Sequence, residues 1–153
     1  MAGTFTQIYI QGVFAIKGTQ NLLRKTWRDE VFKYISGIIT NKGHKPIIVN
    51  GVGDHVHTFI GLKPAMSISD LMRDVKNNSS NFINDHDWVR GKFSWQKGFG
   101  AFSYNHSQVE MIYNYIKNQE EHHRKKTFKE EYLKFLAEFE VPYEDRYLFK
   151  WIK

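Results

Sequence analysis

Between Thr4 and Tyr104 the spacing of apolar residues switches between two periods, and the order of the switches constrains the fold more than any single motif. A period of two puts alternate side chains on opposite faces of a strand, and a period of 3.6 gathers them on one face of a helix. Thr4 to Lys17 alternates and is rich in β-branched and aromatic residues, with Ile8, Ile10 and Phe14 on one side; it predicts a strand that Gly18 ends. Asn21 to Thr40 predicts a helix carrying Leu22, Leu23, Trp27, Val31, Tyr34, Ile35 and Ile38, and Asn41-Lys42-Gly43 supplies its C-terminal signal. Pro46 to Val52 and His55 to Leu62 read as strands joined at Gly53-Asp54 in a hairpin.

Ser67 then serves as an N-cap, with Asp70 at the capping-box position where Glu or Gln is usual. The helix behind it carries Ile68, Leu71, Met72, Val75, Phe82 and Ile83 on one stripe. Lys92 to Tyr104 reads as a Gly-interrupted aromatic strand with Phe93, Trp95 and Phe99 on one face. The order is β-α-β-β-α-β, a split α/β pattern that predicts a ferredoxin-like or RRM-like sheet. Beyond it, Ser107 caps a helix with Val109, Ile112, Tyr113 and Ile116 on its stripe, and a last helix spans Thr127 to Glu140. No repeat or linker interrupts the chain, so we expect one domain over residues 1–153, with a core of about 4–121 and a helical extension of about 122–153.

Composition narrows the function classes. No apolar run approaches the roughly 20 residues that span a bilayer. The absence of cysteine excludes a disulfide framework and thiolate metal sites, and it points to the cytoplasm. A net charge of +6 suits a polyanionic partner, whose counterions are released as its phosphates are neutralised.

Two short motifs carry the chemistry. His55 and His57, two apart on a strand, send both imidazoles from one face, where they can bind a divalent ion but cannot fill its coordination sphere. Tyr115 and Gln119, four apart on a helix, also share a face. Taken alone, Tyr115 also fits a core-edge residue with its hydroxyl in water. A phenol of ordinary pKa near 10 is a poor nucleophile until a metal or base lies close, but once activated it can attack phosphorus. Gln119 offers a neutral oxygen as a third ligand.

His55-Val56-His57 resembles the His-hydrophobic-His motif of single-strand nucleases, and Tyr115-Ile116-x-x-Gln119 resembles the tyrosine motif of IS200/IS605-type single-tyrosine transposases. Asp54 beside the histidine pair, Lys76 with Ser79-Ser80, and Phe93-Ser94-Trp95-Gln96-Lys97-Gly98 are similar to the same family, so that the resemblance runs from about Tyr9 to Gln119. It implies Mg²⁺ or Mn²⁺ held by His55, His57 and Gln119. It also implies attack by Tyr115 on single-stranded DNA, leaving a 5′-phosphotyrosine and a free 3′-hydroxyl. Partners implied are hairpin-bearing DNA ends and a second copy of the chain in a homodimer. By the same resemblance Lys76, Asn77 and the basic first helix (Arg24, Lys25, Arg28, Lys33) are candidates for DNA contact.

After Gln119 the chain continues through His122-His123-Arg124-Lys125-Lys126; the adjacent histidines face different directions, so they cannot both join the metal. The extension either covers a sheet face or braces a dimer. Two other readings stay open. One is a non-catalytic RRM-like module that stacks single-stranded nucleic acid on Phe93, Trp95 or Tyr104. The other is a small ferredoxin-like domain whose histidines bind a metal or small ligand.

Overall fold

The computed structural model describes residues 3–18 and 22–151. Four antiparallel strands, β1 (Tyr9–Ala15), β2 (Lys45–Gly51), β3 (His55–Gly61) and β4 (Gly100–Tyr104), form one sheet in the order β2-β3-β1-β4. That order is the one expected of a ferredoxin-like chain, with β1 and β3 in the middle. Helices α1 (Arg28–Asn41) and α2 (Ile68–Asp85) cover one face. There Ile10, Phe14, Val56 and Ile60 of the sheet meet Val31, Ile35, Leu71 and Val75 in an apolar core.

Local chemistry explains most boundaries. Ser67 caps α2 by accepting from the Asp70 backbone N–H at 3.1 Å. Gly43, at φ +87°, lets the chain leave α1 through a left-handed residue that a side chain would disfavour. Gly51 is needed for a different reason: a Cβ there would lie 2.2 Å from the His55 carbonyl oxygen, so the hairpin closes tightly only because the side chain is absent.

Three expectations need correction. The first helix begins at Arg28: the Leu23 N–H is taken by the Gly53 carbonyl at 2.8 Å, residues 22–24 are irregular and 25–27 form a turn. Its expected start, Asn21, lies outside the described residues. The aromatic segment from Lys92 is a strand only over Gly100–Tyr104. Gly98, at φ +83°, turns the chain, while the Asn84 side chain holds Phe93 at its backbone N–H and C=O, leaving a single bridge between Trp95 and Ile16. The cap before α3 (Val109–Lys117) is Asn105, paired reciprocally with Gln108 around a 3-10 turn, and Ser107 lies within that turn.

The second sheet face is covered too. α3 lays Ile112 and Ile116 on Phe59. A short α4 (Gln119–His122) leads to α5 (Phe128–Glu138), whose Phe128, Tyr132, Phe135 and Leu136 pack on Val13, Ala15 and Phe102. The extension therefore covers the sheet. This overturns the RRM-like alternative: Phe93 and Trp95 are buried in the α1/α2 core, and α5 occupies the face on which bases would stack. No helix among the described residues is long and apolar enough to cross a membrane.

Candidate active site

β3 runs between β2 and β1, so a side chain on its covered face is shielded from both sides. His55 and His57 both point to that face; each is fully buried, and their rings lie 5.0 Å apart. His55 opposes Ala15 across the ladder, and His57 opposes Val13. Phe128 of α5 stacks on the His55 ring at 3.9 Å, nearly parallel.

Tyr115 stands on the last turn of α3, and Gln119 opens α4 after a break at Asn118. The helix end is pinned from the sheet: the Asn50 amide of β2 donates to the carbonyls of Ile116 at 2.9 Å and Lys117 at 3.2 Å, in the last turn where the intrahelical ladder runs out. Gln119 is fully buried, its amide oxygen 3.2 Å from His55 Nε2. The two motifs found sixty residues apart in the sequence therefore meet.

They meet around Glu131 of α5, which is 3% exposed. Its Oε1 lies 3.2 Å from His55 Nε2, 3.1 Å from His57 Nε2 and 3.2 Å from His123 Nε2. Its Oε2 accepts from the Tyr115 hydroxyl in a short hydrogen bond and from the Gln119 amide at 3.1 Å. His122 stands at the edge, its Nε2 3.3 Å from the Tyr115 hydroxyl. Of the adjacent histidines, then, His123 reaches the centre and His122 faces the tyrosine.

The outer nitrogens of the three central histidines are also engaged. His55 Nδ1 faces the Asp54 carboxylate at 2.6 Å, His57 Nδ1 the Gln11 amide oxygen at 2.7 Å, and His123 Nδ1 the Lys126 carbonyl at 2.8 Å. Each partner is an acceptor, so each Nδ1 carries a proton and each Nε2 turns toward the centre. Gln11 is held in turn by donating to the Tyr104 hydroxyl at 2.8 Å.

The electrostatics follow from this crowding. Burial opposes ionisation of Glu131, yet the surrounding imidazoles hold its carboxyl far below the ordinary range. Burial also disfavours a charged His55, but hydrogen bonds and charge from Asp54 and Glu131 win, and its pKa rises to about 9. At His57 burial wins and the pKa falls. Burial and the Glu131 charge push the Tyr115 phenol well above its ordinary value, so here it is a protonated donor. Burial also lowers the pKa of His122.

A divalent ion fits this donor set. The nitrogens of His55, His57 and His123 and a carboxylate oxygen of Glu131 all lie within 4.8 Å of one another.

Glu131 and Gln11 escaped the sequence reading, which had also left open whether His122 or His123 turns inward. Glu131 left a signal: with Phe128, Tyr132 and Phe135 it falls at a stripe position of α5, where a carboxylate must be buried. The candidate DNA contacts scatter. Arg24 and Lys25 are exposed just before α1, Lys33 is exposed on α1 and Asn77 on α2. Arg28 is buried against Leu23 and Glu120. Lys76 donates to the carbonyls of Gln96 at 2.7 Å and Gly98 at 2.8 Å, bracing the loop before β4. Beside this cluster, Lys25, Arg28, Arg124, Lys126 and Lys129 line a groove of about 740 Å³ that reaches Asp54 and His123.

A ferredoxin-like sheet that sets a strand's histidine pair against a helix's tyrosine and glutamine defines the class, the single-tyrosine transposases. The chain belongs to the family described as "Transposase IS200 like", whose family model matches residues 4–119. Two solved structures share the fold. One is a protein of Deinococcus radiodurans R1 assigned as a transposase, 20% identical, with a TM-score of 0.62 over 78% of this chain and 95% of that one. The other is a REP-associated tyrosine transposase bound to a REP hairpin, 13% identical, with a TM-score of 0.58 over 100% of this chain and 96% of that one. No curated protein sequence matches the chain.

Proposed function

We propose that this transposase cleaves and rejoins single-stranded DNA through a 5′-phosphotyrosine at Tyr115, with a divalent ion held by His55, His57 and Gln119. The observation that carries the reading is the convergence of the Tyr115 hydroxyl, both imidazoles and the Gln119 amide on one buried carboxylate within a single chain.

The chain's own groups suit each step. Tyr115 oxygen attacks phosphorus, an O–P bond forms, and the bond from phosphorus to the 3′-oxygen breaks, the leaving oxygen taking a proton from water to become a 3′-hydroxyl. The phenol proton has two acceptors within reach, Glu131 and His122. Glu131 is held ionised by its imidazoles, so the neutral His122 at the edge of the site takes the proton. A bound ion would polarise a non-bridging phosphate oxygen and orient the phosphate. The released 3′-hydroxyl can later attack a second phosphotyrosine, so joining needs no outside energy source.

The basic groove suits the entering strand, although Lys25 and Arg28 in its lining are paired with Glu120; Arg24, Lys33 and Asn77 are further candidate contacts. Lys76, already committed to two carbonyls, has less to offer DNA. One solved neighbour is bound to a hairpin, which supports hairpin-bearing ends as the substrate. We place the protein in the cytoplasm, as one domain with its extension built into the site, and as a homodimer whose tyrosine serves its own histidines. Light scattering checks the dimer.

The reading is tested by incubating the protein with labelled, hairpin-bearing single strands and Mg²⁺ or Mn²⁺ and resolving it under denaturing conditions. A metal-dependent covalent adduct absent from Tyr115→Phe is the expected result; no adduct despite measurable DNA binding would overturn it.

A further inference from the structure

We infer that the metal centre is completed by two residues of the C-terminal segment, His123 and Glu131, so that three imidazoles and a carboxylate hold a first-row transition ion in preference to Mg²⁺. The proposal deepens the reading of the same site given above, but it concerns ion binding and does not require DNA cleavage. Both residues lie beyond the family match, which ends at residue 119, and neither belongs to the ligand set that the histidine pair and Gln119 make on their own.

Three observations carry it. First, Nε2 of His55, His57 and His123 all approach the same oxygen, Glu131 Oε1, at 3.1–3.2 Å, from a strand and from the segment after α4. Second, the outer nitrogen of all three rings faces an acceptor of a different kind: the Asp54 carboxylate, the Gln11 amide oxygen and the Lys126 carbonyl. An acceptor at Nδ1 keeps the proton on that nitrogen, so a ring that binds an ion offers its lone pair from Nε2, and this outer support is how proteins orient metal-bound histidines. A histidine buried only to fill space needs no such pairing, and here His123 is held in the same way as the hairpin pair. Third, Glu131 is a carboxylate on the apolar stripe of α5, with 3% of its surface exposed, and burying a charge is costly unless it is paired or binds a metal.

The donor set decides the ion. Mg²⁺ prefers an octahedron of oxygens and gives up its waters reluctantly, whereas imidazole suits zinc, iron, nickel and copper. Beside the Gln119 amide oxygen, three imidazoles and one carboxylate are ligands of the kinds zinc takes. The two oxygens of Glu131 divide the work: Oε1 faces the histidines, and Oε2 orients the Tyr115 hydroxyl and the Gln119 amide.

The test is a Co²⁺ titration of the full chain after chelator treatment, read by the visible ligand-field absorption of the ion and by competition with Zn²⁺ and with Mg²⁺. Five variants, His55→Ala among them, are compared with the unmodified chain, and circular dichroism checks that each is folded. Loss of an outer hydrogen-bond partner typically costs 10–100-fold in metal affinity, so loss of a direct ligand in His123→Ala or Glu131→Gln is expected to weaken Co²⁺ binding by more than about 100-fold. Both should also change the absorption band. Zn²⁺ should displace Co²⁺, and millimolar Mg²⁺ should not. His123→Gln and Glu131→Asp serve where the first pair fails to fold, and must weaken binding likewise.

If either position can be changed with unmodified binding while His55→Ala abolishes it, the C-terminal ligand set is overturned, and the centre made by the histidine pair and Gln119 stands. Displacement of Co²⁺ by Mg²⁺ as readily as by Zn²⁺ overturns the ion preference. No binding of Co²⁺ or Zn²⁺ by the unmodified chain overturns the proposal; adduct formation with Mg²⁺ in the earlier assay would then show whether the proposed reaction survives it.

Discussion

The two faces of the sheet are built on opposite terms. Under α1 and α2, Phe14, Ile35, Val56 and Val75 are fully buried among apolar neighbours, and Phe14 meets Trp95 edge to face at 4.7 Å. Under α3 and α5 the apolar cover is split in two, one patch around Phe59 and one around Phe102. Between the patches lies a polar cluster of His55, His57, Gln11, Gln119 and Glu131, all buried. The same strands serve both faces, since neighbouring residues point opposite ways. Burial of apolar surface drives folding, whereas a buried charge pair returns little net stability for its desolvation. One face thus holds the fold, and the other spends burial on chemistry.

Changing one face at a time sharpens the contrast. The largest effect belongs to the polar face: Tyr115→Phe should remove the covalent DNA adduct entirely, while its urea denaturation midpoint stays near that of the unmodified chain. A loss of fold instead would mean that the hydroxyl is structural. On the apolar face, Phe14→Ala should cost about 3–5 kcal/mol by urea denaturation, with adduct formation per folded molecule unchanged. A comparable fall in adduct would break the division between the faces.

A smaller effect separates the faces by pH. In metal-free protein the His55 pKa is raised from 6.5 to about 9, so the folded state holds its proton more tightly than the unfolded chain does. Its contribution, at most about 3 kcal/mol, is full below about pH 6.5 and lost as the pH rises through about 9. Urea titrations of chelator-treated protein at pH 6 and pH 9.5 should differ in that direction, and His55→Gln should remove the difference. Smallest is Asn50→Ala, which leaves two α3 carbonyls to water and should cost about 1 kcal/mol. Because Asn50 fixes the helix end that carries Tyr115, adduct formation should also fall, by roughly tenfold, a modest part of what a small misplacement of reacting groups can cost.

Much of this was legible in the chain. The alternation in Thr4 to Lys17, the cap at Ser67 and the glycine after Asn41 are local signals; α2 and the end of α1 follow them, and β1 follows over Tyr9–Ala15, with residues 4–8 outside the strand. Local signals misled where a distant group took over: Leu23 has helical spacing, but its N–H is claimed by Gly53 of the hairpin. Phe93 and Trp95 read as a strand, but Asn84 of α2 takes the backbone of Phe93.

The sequence by itself determined the split βαβ order, the shared face of His55 and His57, and the family to which Tyr115 and Gln119 belong. These depend on residue spacing and backbone geometry, which act over a few residues. Only the tertiary structure decided that α5 folds back across the sheet and puts Glu131 among the histidines, that His123 turns inward and His122 toward the tyrosine, and that Gln11 fixes a ring 46 positions away. Spacing along the chain cannot encode such contacts. They arise when burying Phe128, Tyr132 and Phe135 carries a carboxylate inside, where its neighbours must satisfy it.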